Sequence, residues 1–267
     1  MGTVFKILNK ALNNLNLHIH LVRISKIHKP EPDEICINIG AGGWRFKGWI
    51  NLDKLSEWYS ADQKNQPNLI NYDIRVDDLP FENNSITAIF CSHVIEHVET
   101  KYVERMFSEC FRVLRVGGVL RIACPDAEFL YQLCKKNTDY FPLYNDPFFK
   151  SKERRLIDFL VFDIATQKTL NYKHSLNKID YKEAFEKMEM NEFLNYMTSD
   201  CVYREEFPGD HVSYWTFDKC KEILAKTGFD FIIHSKYAGS CCNRMKSVAK
   251  FDTTSPSNSL YVEAVKT

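Results

Sequence analysis

Two hydrophobic rhythms alternate along this chain of 267 residues. Short, mostly apolar runs occur at 35–39, 49–52, 86–91 and 119–124, and strand-like stretches broken by polar residues at 68–74, 230–237 and 259–265. Runs of that length bounded by turn residues predict strands, and those without alternation predict strands buried on both faces. Between them lie stretches of helical period. Val103, Met106, Phe107, Cys110, Phe111, Val113 and Leu114 form one, predicted to run to Gly117-Gly118, and residues 217–227 form another, closed by Gly228. Strands alternating with crossovers predict an α/β fold with a parallel sheet and right-handed connections.

The chain divides by pattern. In residues 1–33, Val4, Phe5, Ile7, Leu8, Ala11, Leu12 and Leu15 recur at helical spacing, followed by the stiff linker Lys29-Pro30-Glu31-Pro32-Asp33. This is an amphipathic helical extension, read as packing on the main domain, with weak peripheral membrane contact as the alternative. Residues 34–267 form the main domain. Within it, a segment from about 127 to 210 is irregular and rich in aromatics, with helix-like pieces near 153–166 and 181–197. It reads as an inserted lid or substrate segment able to supply an apolar pocket wall.

The first strand runs into Gly40-Ala41-Gly42-Gly43, and the second ends on Asp53. Glycines let a backbone approach a ligand where a Cβ would collide, and an acid at the tip of the next strand can accept both ribose hydroxyls. Such a pair of strand ends is how a parallel sheet holds a nucleoside.

Composition narrows the choice. Lys+Arg and Asp+Glu are 35 each, a formal net charge of +0, which argues against a general nucleic-acid binder. Nine cysteines lie mostly in strand-like and helix-like runs without a Cys-x-x-Cys pair, so reduced thiols are expected rather than bridges or zinc. No run is long and apolar enough to span a bilayer, and the first residues lack a signal-peptide core, so a cytoplasmic location is expected.

Three strings carry a resemblance: Asp78-Leu79-Pro80-Phe81 with the turn after it, Ser92-His93-Val94-Ile95-Glu96-His97, and Phe111-Arg112-Val113-Leu114-Arg115-Val116-Gly117-Gly118. In order and spacing they resemble class I S-adenosylmethionine-dependent methyltransferases, and more narrowly the type 11 branch, over roughly residues 35–126. A weaker echo follows at 211–237. The resemblance implies a Rossmann-like, seven-stranded, mostly parallel sheet with an antiparallel last strand, here with the helical and aromatic insertion. It implies S-adenosyl-L-methionine as cofactor, with Gly40, Ala41 and Gly42 under the methionine part and Asp53 on the ribose. Asp73 and Ile74 would meet the adenine, and Ser92 and His93 would sit near the sulfonium. Only Trp44-Arg45-Phe46-Lys47-Gly48 stands where relatives carry a full helix before the second strand. That shortened form is similar to a bacterial subgroup associated with surface polysaccharide synthesis.

Methyl transfer to a hydroxyl needs alignment, exclusion of water and a proton acceptor. His93, Asp126 and His211 are the candidate catalytic residues, with His97 read as a base or as a structural histidine. Trp44, Tyr203 and Tyr214 are candidates for an aromatic substrate wall, and Arg45 and Arg204 for an anionic group on the substrate. No metal-ligand spacing is visible, so a metal-independent reaction is expected. The leading expectation is O-methylation of a small saccharide or nucleotide-linked intermediate of surface-glycan synthesis. The alternatives are an N-methyltransferase, a protein or RNA methyltransferase, a NAD-binding oxidoreductase, and a non-catalytic cofactor-binding module.

Overall fold

In the computed structural model, Ile35–Ile39 (β1) is an interior strand of a seven-stranded sheet, and the strand order is β3-β2-β1-β4-β5-β7-β6. The structure describes residues 34–44, 46–63, 69–137, 155–170, 181–247 and 250–267. The extension at 1–33, Arg45 and the aromatics from Tyr140 to Phe149 lie outside the described residues. The other strands are β2 (Ile50–Asp53), β3 (Leu69–Asn71), β4 (Ile86–Ser92), β5 (Leu114–Pro125), β6 (Phe231–His234) and β7 (Ser259–Val265). The strands β1 to β5 pair in parallel, and β7 is antiparallel to both β5 and β6. This is the Rossmann-like α/β sheet expected from the alternating pattern.

The described helices are α1 (Ser60–Gln63), α2 (Thr100–Val113), α3 (Ala127–Lys136), α4 (Leu156–Ile164), α5 (Lys182–Lys187), α6 (Met190–Thr198) and α7 (Phe217–Lys226). Helix α2 buries Val103, Met106, Phe107, Cys110 and Val113, the three–four spacing of one apolar face. It ends at Val113 rather than at the glycine pair. Leu114 is already extended and paired with Ile86, while Ala88 pairs with Val119. Residues 115–118 therefore bulge from β5 opposite Thr87, and Gly117 at φ +78° serves that bulge instead of a helix end. Helix α7 behaves as the pattern predicts: the Thr216 side chain caps it by accepting from Lys219 N.

Residues 35–267 form one compact unit. Ile37, Leu52, Ile89, Phe107, Leu120 and Val262 belong to the apolar cluster between the sheet and helices α2 and α7. The helices α3 to α6 share a second cluster around Leu130, Leu160, Phe193 and Tyr181. Phe46, Phe90 and Phe251 form a third, behind the glycine loop, with Phe46 and Phe251 centroids 4.4 Å apart. All nine cysteines are free thiols.

A fully buried arginine sits within β5. Arg121 donates to Asp252 Oδ1 at 2.9 Å and Oδ2 at 2.5 Å, lies 3.2 Å from Glu263 Oε1 and donates to Lys236 O at 3.0 Å. Glu263 also accepts from Ser240 Oγ and Cys241 N, so the network fastens the 236–252 segment to β5 and β7.

Candidate active site

Because β1 to β3 are laid down to one side and β4 and β5 to the other, the strand order reverses between β1 and β4. A crevice opens at the carboxyl ends of strands at such a switch point. A cavity of about 320 Å³ lies there. Its wall includes Gly40 and Gly42 after β1, Asp53 at the end of β2, Asp73 and Ile74 after β3, and Ser92 and His93 after β4.

The glycine loop folds back onto β2. Gly40 N and Ala41 N both donate to Leu52 O, at 2.8 and 3.1 Å. Gly42 N donates to Asp53 Oδ2 at 2.8 Å, and Gln63 Nε2 reaches the same oxygen at 3.4 Å. Gly40 has φ +67°, and a Cβ there would stand 2.1 Å from Val94 Cγ2. Gly42 has φ +50° with open space where its Cβ would be. Burial pushes the Asp53 carboxyl above the usual range, against the hydrogen bonds from Gly42 and Gln63. Ala41 is buried behind the loop rather than in the cavity wall.

Asp73 is engaged by cations. Arg75 Nε and Nη2 meet its two oxygens at 3.0 and 2.6 Å, and Lys54 Nζ lies 3.4 Å away. Although burial opposes it, the Arg75 guanidinium holds this carboxyl below the usual range. Glu205 pairs with the same two cations, at 2.5 Å from Lys54 and 2.8 Å from Arg75. Between them lies Tyr203, a cavity-wall residue whose ring has Arg75 3.8 Å from its centroid. Sequence reasoning found Tyr203 but missed Lys54, Arg75 and Glu205. The available signal was a cation immediately after Asp53 and another two residues after Asp73.

Beyond β4 the chain makes a 3-10 turn, Ile95–His97, that gathers three imidazoles around one carboxylate. His93, at φ +53°, places Nδ1 3.1 Å from Glu96 Oε1 and Nε2 2.9 Å from Ser259 Oγ. Ser259 Oγ has one proton, given to Ser255 O at 2.8 Å, so His93 donates to it through Nε2–H. Burial lowers the His93 pKa, but Glu96 more than offsets this and raises it above the usual value. With one ring nitrogen facing Glu96 and the other on Ser259, His93 is poorly placed to take a proton from an acceptor. Against its burial, the His93, His97 and His211 imidazoles pull the Glu96 carboxyl down to about 2.

His97 also lines the cavity. Its Nδ1 lies 3.2 Å from Asp210 O and its Nε2 4.0 Å from Glu96 Oε1. His211 places Nδ1 2.6 Å from Asp163 O, with its ring centroid 4.8 Å from that of His97. A carbonyl only accepts, so each Nδ1 carries a proton and Nε2 is the ring nitrogen left for another partner. Burial, with His97 alongside, drives the His211 pKa down to about 4 and keeps it neutral.

Other sequence candidates fall elsewhere. Asp126 caps α3, accepting from Phe129 N at 2.9 Å, and is not in the cavity wall. A carboxylate at a parallel strand end is also the first residue before a helix, and here the cap is its use. Arg204 is spent on Asp210 and on the Phe207 ring, 4.6 Å away. Tyr214 is buried in the second apolar cluster with its hydroxyl on Asn195 Oδ1 at 3.0 Å. Trp44 does line the cavity and is 57% exposed.

Residues 50–122 match a family model described as a methyltransferase domain. No curated protein matches the chain. Among solved structures, the chain is similar to an S-adenosylmethionine-dependent methyltransferase from Archaeoglobus fulgidus, with 12% identity over 98% of this chain and 94% of that one and a TM-score of 0.45. A second, from Mesorhizobium loti, has 14% identity over 89% of this chain and 93% of that one, with a TM-score of 0.45. Among the described residues no helix is long and apolar enough to cross a membrane. The matched segment runs from β2 into β5, so the strands around the cleft carry a methyltransferase domain, and the protein is an S-adenosylmethionine-dependent methyltransferase.

Proposed function

We propose that the enzyme methylates a hydroxyl oxygen of a small molecule, a saccharide or a nucleotide- or phosphate-linked intermediate of bacterial surface-glycan synthesis. Two features of the cavity suit an adenosyl ligand. The face over Gly42 is open, and Tyr72 Oη is buried in the wall with no hydrogen-bond partner among the described residues. In this reading Asp53 takes the ribose hydroxyls, Asp73 and Ile74 border the adenine, and Gly40 and Gly42 pass under the methionine part. When bound, S-adenosylmethionine supplies a methyl group already activated on a sulfonium. The chain's own residues then orient the acceptor, keep water out and deal with its proton.

The observation that carries the choice of oxygen is His97. It lines the cavity with its Nδ1–H committed to Asp210 O, leaving Nε2 for an acceptor hydroxyl. A hydroxyl needs such help, whereas a neutral amine attacks with its own lone pair. The glycan assignment rests on the shortened loop between β1 and β2 and on its likeness to the polysaccharide-associated subgroup. Trp44 and Tyr203 supply aromatic surface on which a sugar ring can stack.

Replacing Asp53 by Ala is expected to weaken S-adenosylhomocysteine binding by about 1–3 kcal/mol, the worth of charge-assisted hydrogen bonds. Calorimetry checks this, and an unchanged affinity removes Asp53 from the ribose. Methyl transfer screened by mass spectrometry against nucleotide sugars, glycosides and amines tests the acceptor. His97→Ala is expected to lower kcat on the hydroxyl acceptor by about 10²- to 10⁴-fold while cofactor affinity holds. Faster methylation of amines than of any hydroxyl overturns the reading.

A further inference from the structure

We propose that Glu96, His97 and His211 form a binding site for one divalent transition-metal ion. One ligand atom from each of the three lies within 4.8 Å of the other two. The set is two imidazoles and one carboxylate, which suits zinc, cobalt, manganese or iron better than calcium or magnesium.

Three independent details point the same way. First, both imidazoles are fixed by their outer nitrogens. The Nδ1 atoms of His97 and His211 are spent on backbone carbonyls of Asp210 and Asp163, so both rings offer Nε2. Fixing a ligand ring through its other nitrogen is how proteins orient metal-binding histidines. Second, Glu96 is 1% exposed, yet neither of its oxygens accepts a hydrogen bond of good geometry. A buried carboxylate left that way costs several kcal/mol unless a cation answers it. His93 answers only in part, as an ion pair at Oε1. Third, the backbone locks the cluster: Glu96 O accepts from Val212 N at 2.8 Å and from Ser213 N at 3.2 Å, tying the turn after β4 to the chain just after His211.

Ligands about 2.0–2.1 Å from a tetrahedral ion stand roughly 3.3 Å apart, so binding draws the three atoms together by about 1 Å. Side-chain rotations supply a movement of that size. His97 belongs to both the triad and the cavity wall, which puts the ion beside the cleft with ligand positions left open. The link to catalysis rests on the hydroxyl reading above: with the ion bound, His97 Nε2 is a ligand instead of a base, and the ion would take over its task by polarising the acceptor oxygen and making its proton easier to lose. The binding itself does not depend on that reading.

The test is calorimetric titration of chelator-stripped, full-length protein with ZnCl₂, CoCl₂ and MnCl₂, alongside S-adenosylhomocysteine on the same samples. One equivalent of zinc or cobalt is expected to bind, more than about 100-fold more weakly in His211→Ala and in Glu96→Gln. Wild-type protein that takes up no ion, or variants that bind it unchanged, overturn the site. S-adenosylhomocysteine bound without metal uptake defeats this inference alone, and failure of both defeats the cofactor cleft as well. Should the variants not fold, Co(II) added to wild-type protein decides. Paramagnetic shifts confined to the His97 and His211 ring signals support the site, and shifts at other histidines instead of these overturn it.

Discussion

Arg121→Ala is expected to destabilise the protein by about 3–5 kcal/mol, the loss seen when one member of a buried ion pair is removed. The magnitude follows from what is left behind. Asp252 and Glu263, each 1% exposed as side chains, lose the cation between them and remain in the interior. Deleting the guanidinium also takes one of two donors from Lys236 O, which keeps Gly239 N, removes the donor to Ser235 Oγ, and opens a cavity within the sheet. For a chain of this size the melting temperature should fall by roughly 6–20 °C. Thermal unfolding followed by circular dichroism measures it. Lys226→Ala, which breaks only the exposed pair with Glu222, serves as the control and should leave the transition in place. A loss below about 1 kcal/mol for Arg121→Ala would mean the two carboxylates find other partners or water.

The second large effect is local to the cleft. Gly40→Ala is expected to cost about 2–4 kcal/mol of stability, the sum of overpacking and a left-handed φ on a residue with a Cβ. The added carbon meets Val94 Cγ2 at 2.1 Å and Val94 Cγ1 at 3.0 Å. A valine side chain has few alternative rotamers, so the loop itself must move, and cofactor affinity should fall with it. Val94→Ala in the same chain removes the two methyl contacts, leaving the backbone strain of about 1–2 kcal/mol and the milder approach to the residue-94 Cβ at 3.1 Å. Chemical denaturation of both single variants and the double variant, read as a cycle, should therefore give a coupling of at least about 1 kcal/mol. Additive losses would place the cost in the backbone and dismiss the contact.

Legibility in the sequence followed the range of the interactions involved. Strands such as Ile35–Ile39 and Ile86–Ser92 were visible because burial on both faces leaves a mostly apolar run. The end of α2 was misread because Gly117-Gly118 is compatible with a helix stop and with a strand bulge, and the pairing of β4 with β5 decided between them. At the site, Gly40, Gly42, Asp53, Ser92 and His93 could be placed in the cleft because parallel strands deliver their carboxyl ends to one edge. Asp126 satisfies the same rule and is a helix cap instead, a distinction that depends on where the next backbone N–H points. The grouping of Glu96 and His97 with His211 was out of reach, since it depends on how the segment following α6 returns to the turn after β4. Tyr214 and Arg204 lie away from the cavity wall, and their placement was out of reach for a related reason: aromatic and cationic residues in an irregular segment carry no periodicity that separates core from cleft.

The ionic clasp formed by Lys54, Arg75, Tyr203 and Glu205 joins the ends of β2 and β3 to the segment following α6, with Glu205 63% exposed. A methyltransferase must discharge its spent cofactor after every turnover. Exposed charge pairs contribute only about 0–1 kcal/mol each, so the Glu205 end of this network is its weak end, whereas Lys54, Arg75 and Asp73 are half-buried. Of the contacts around the cleft, those made by Glu205 are therefore the first expected to part when a ligand leaves.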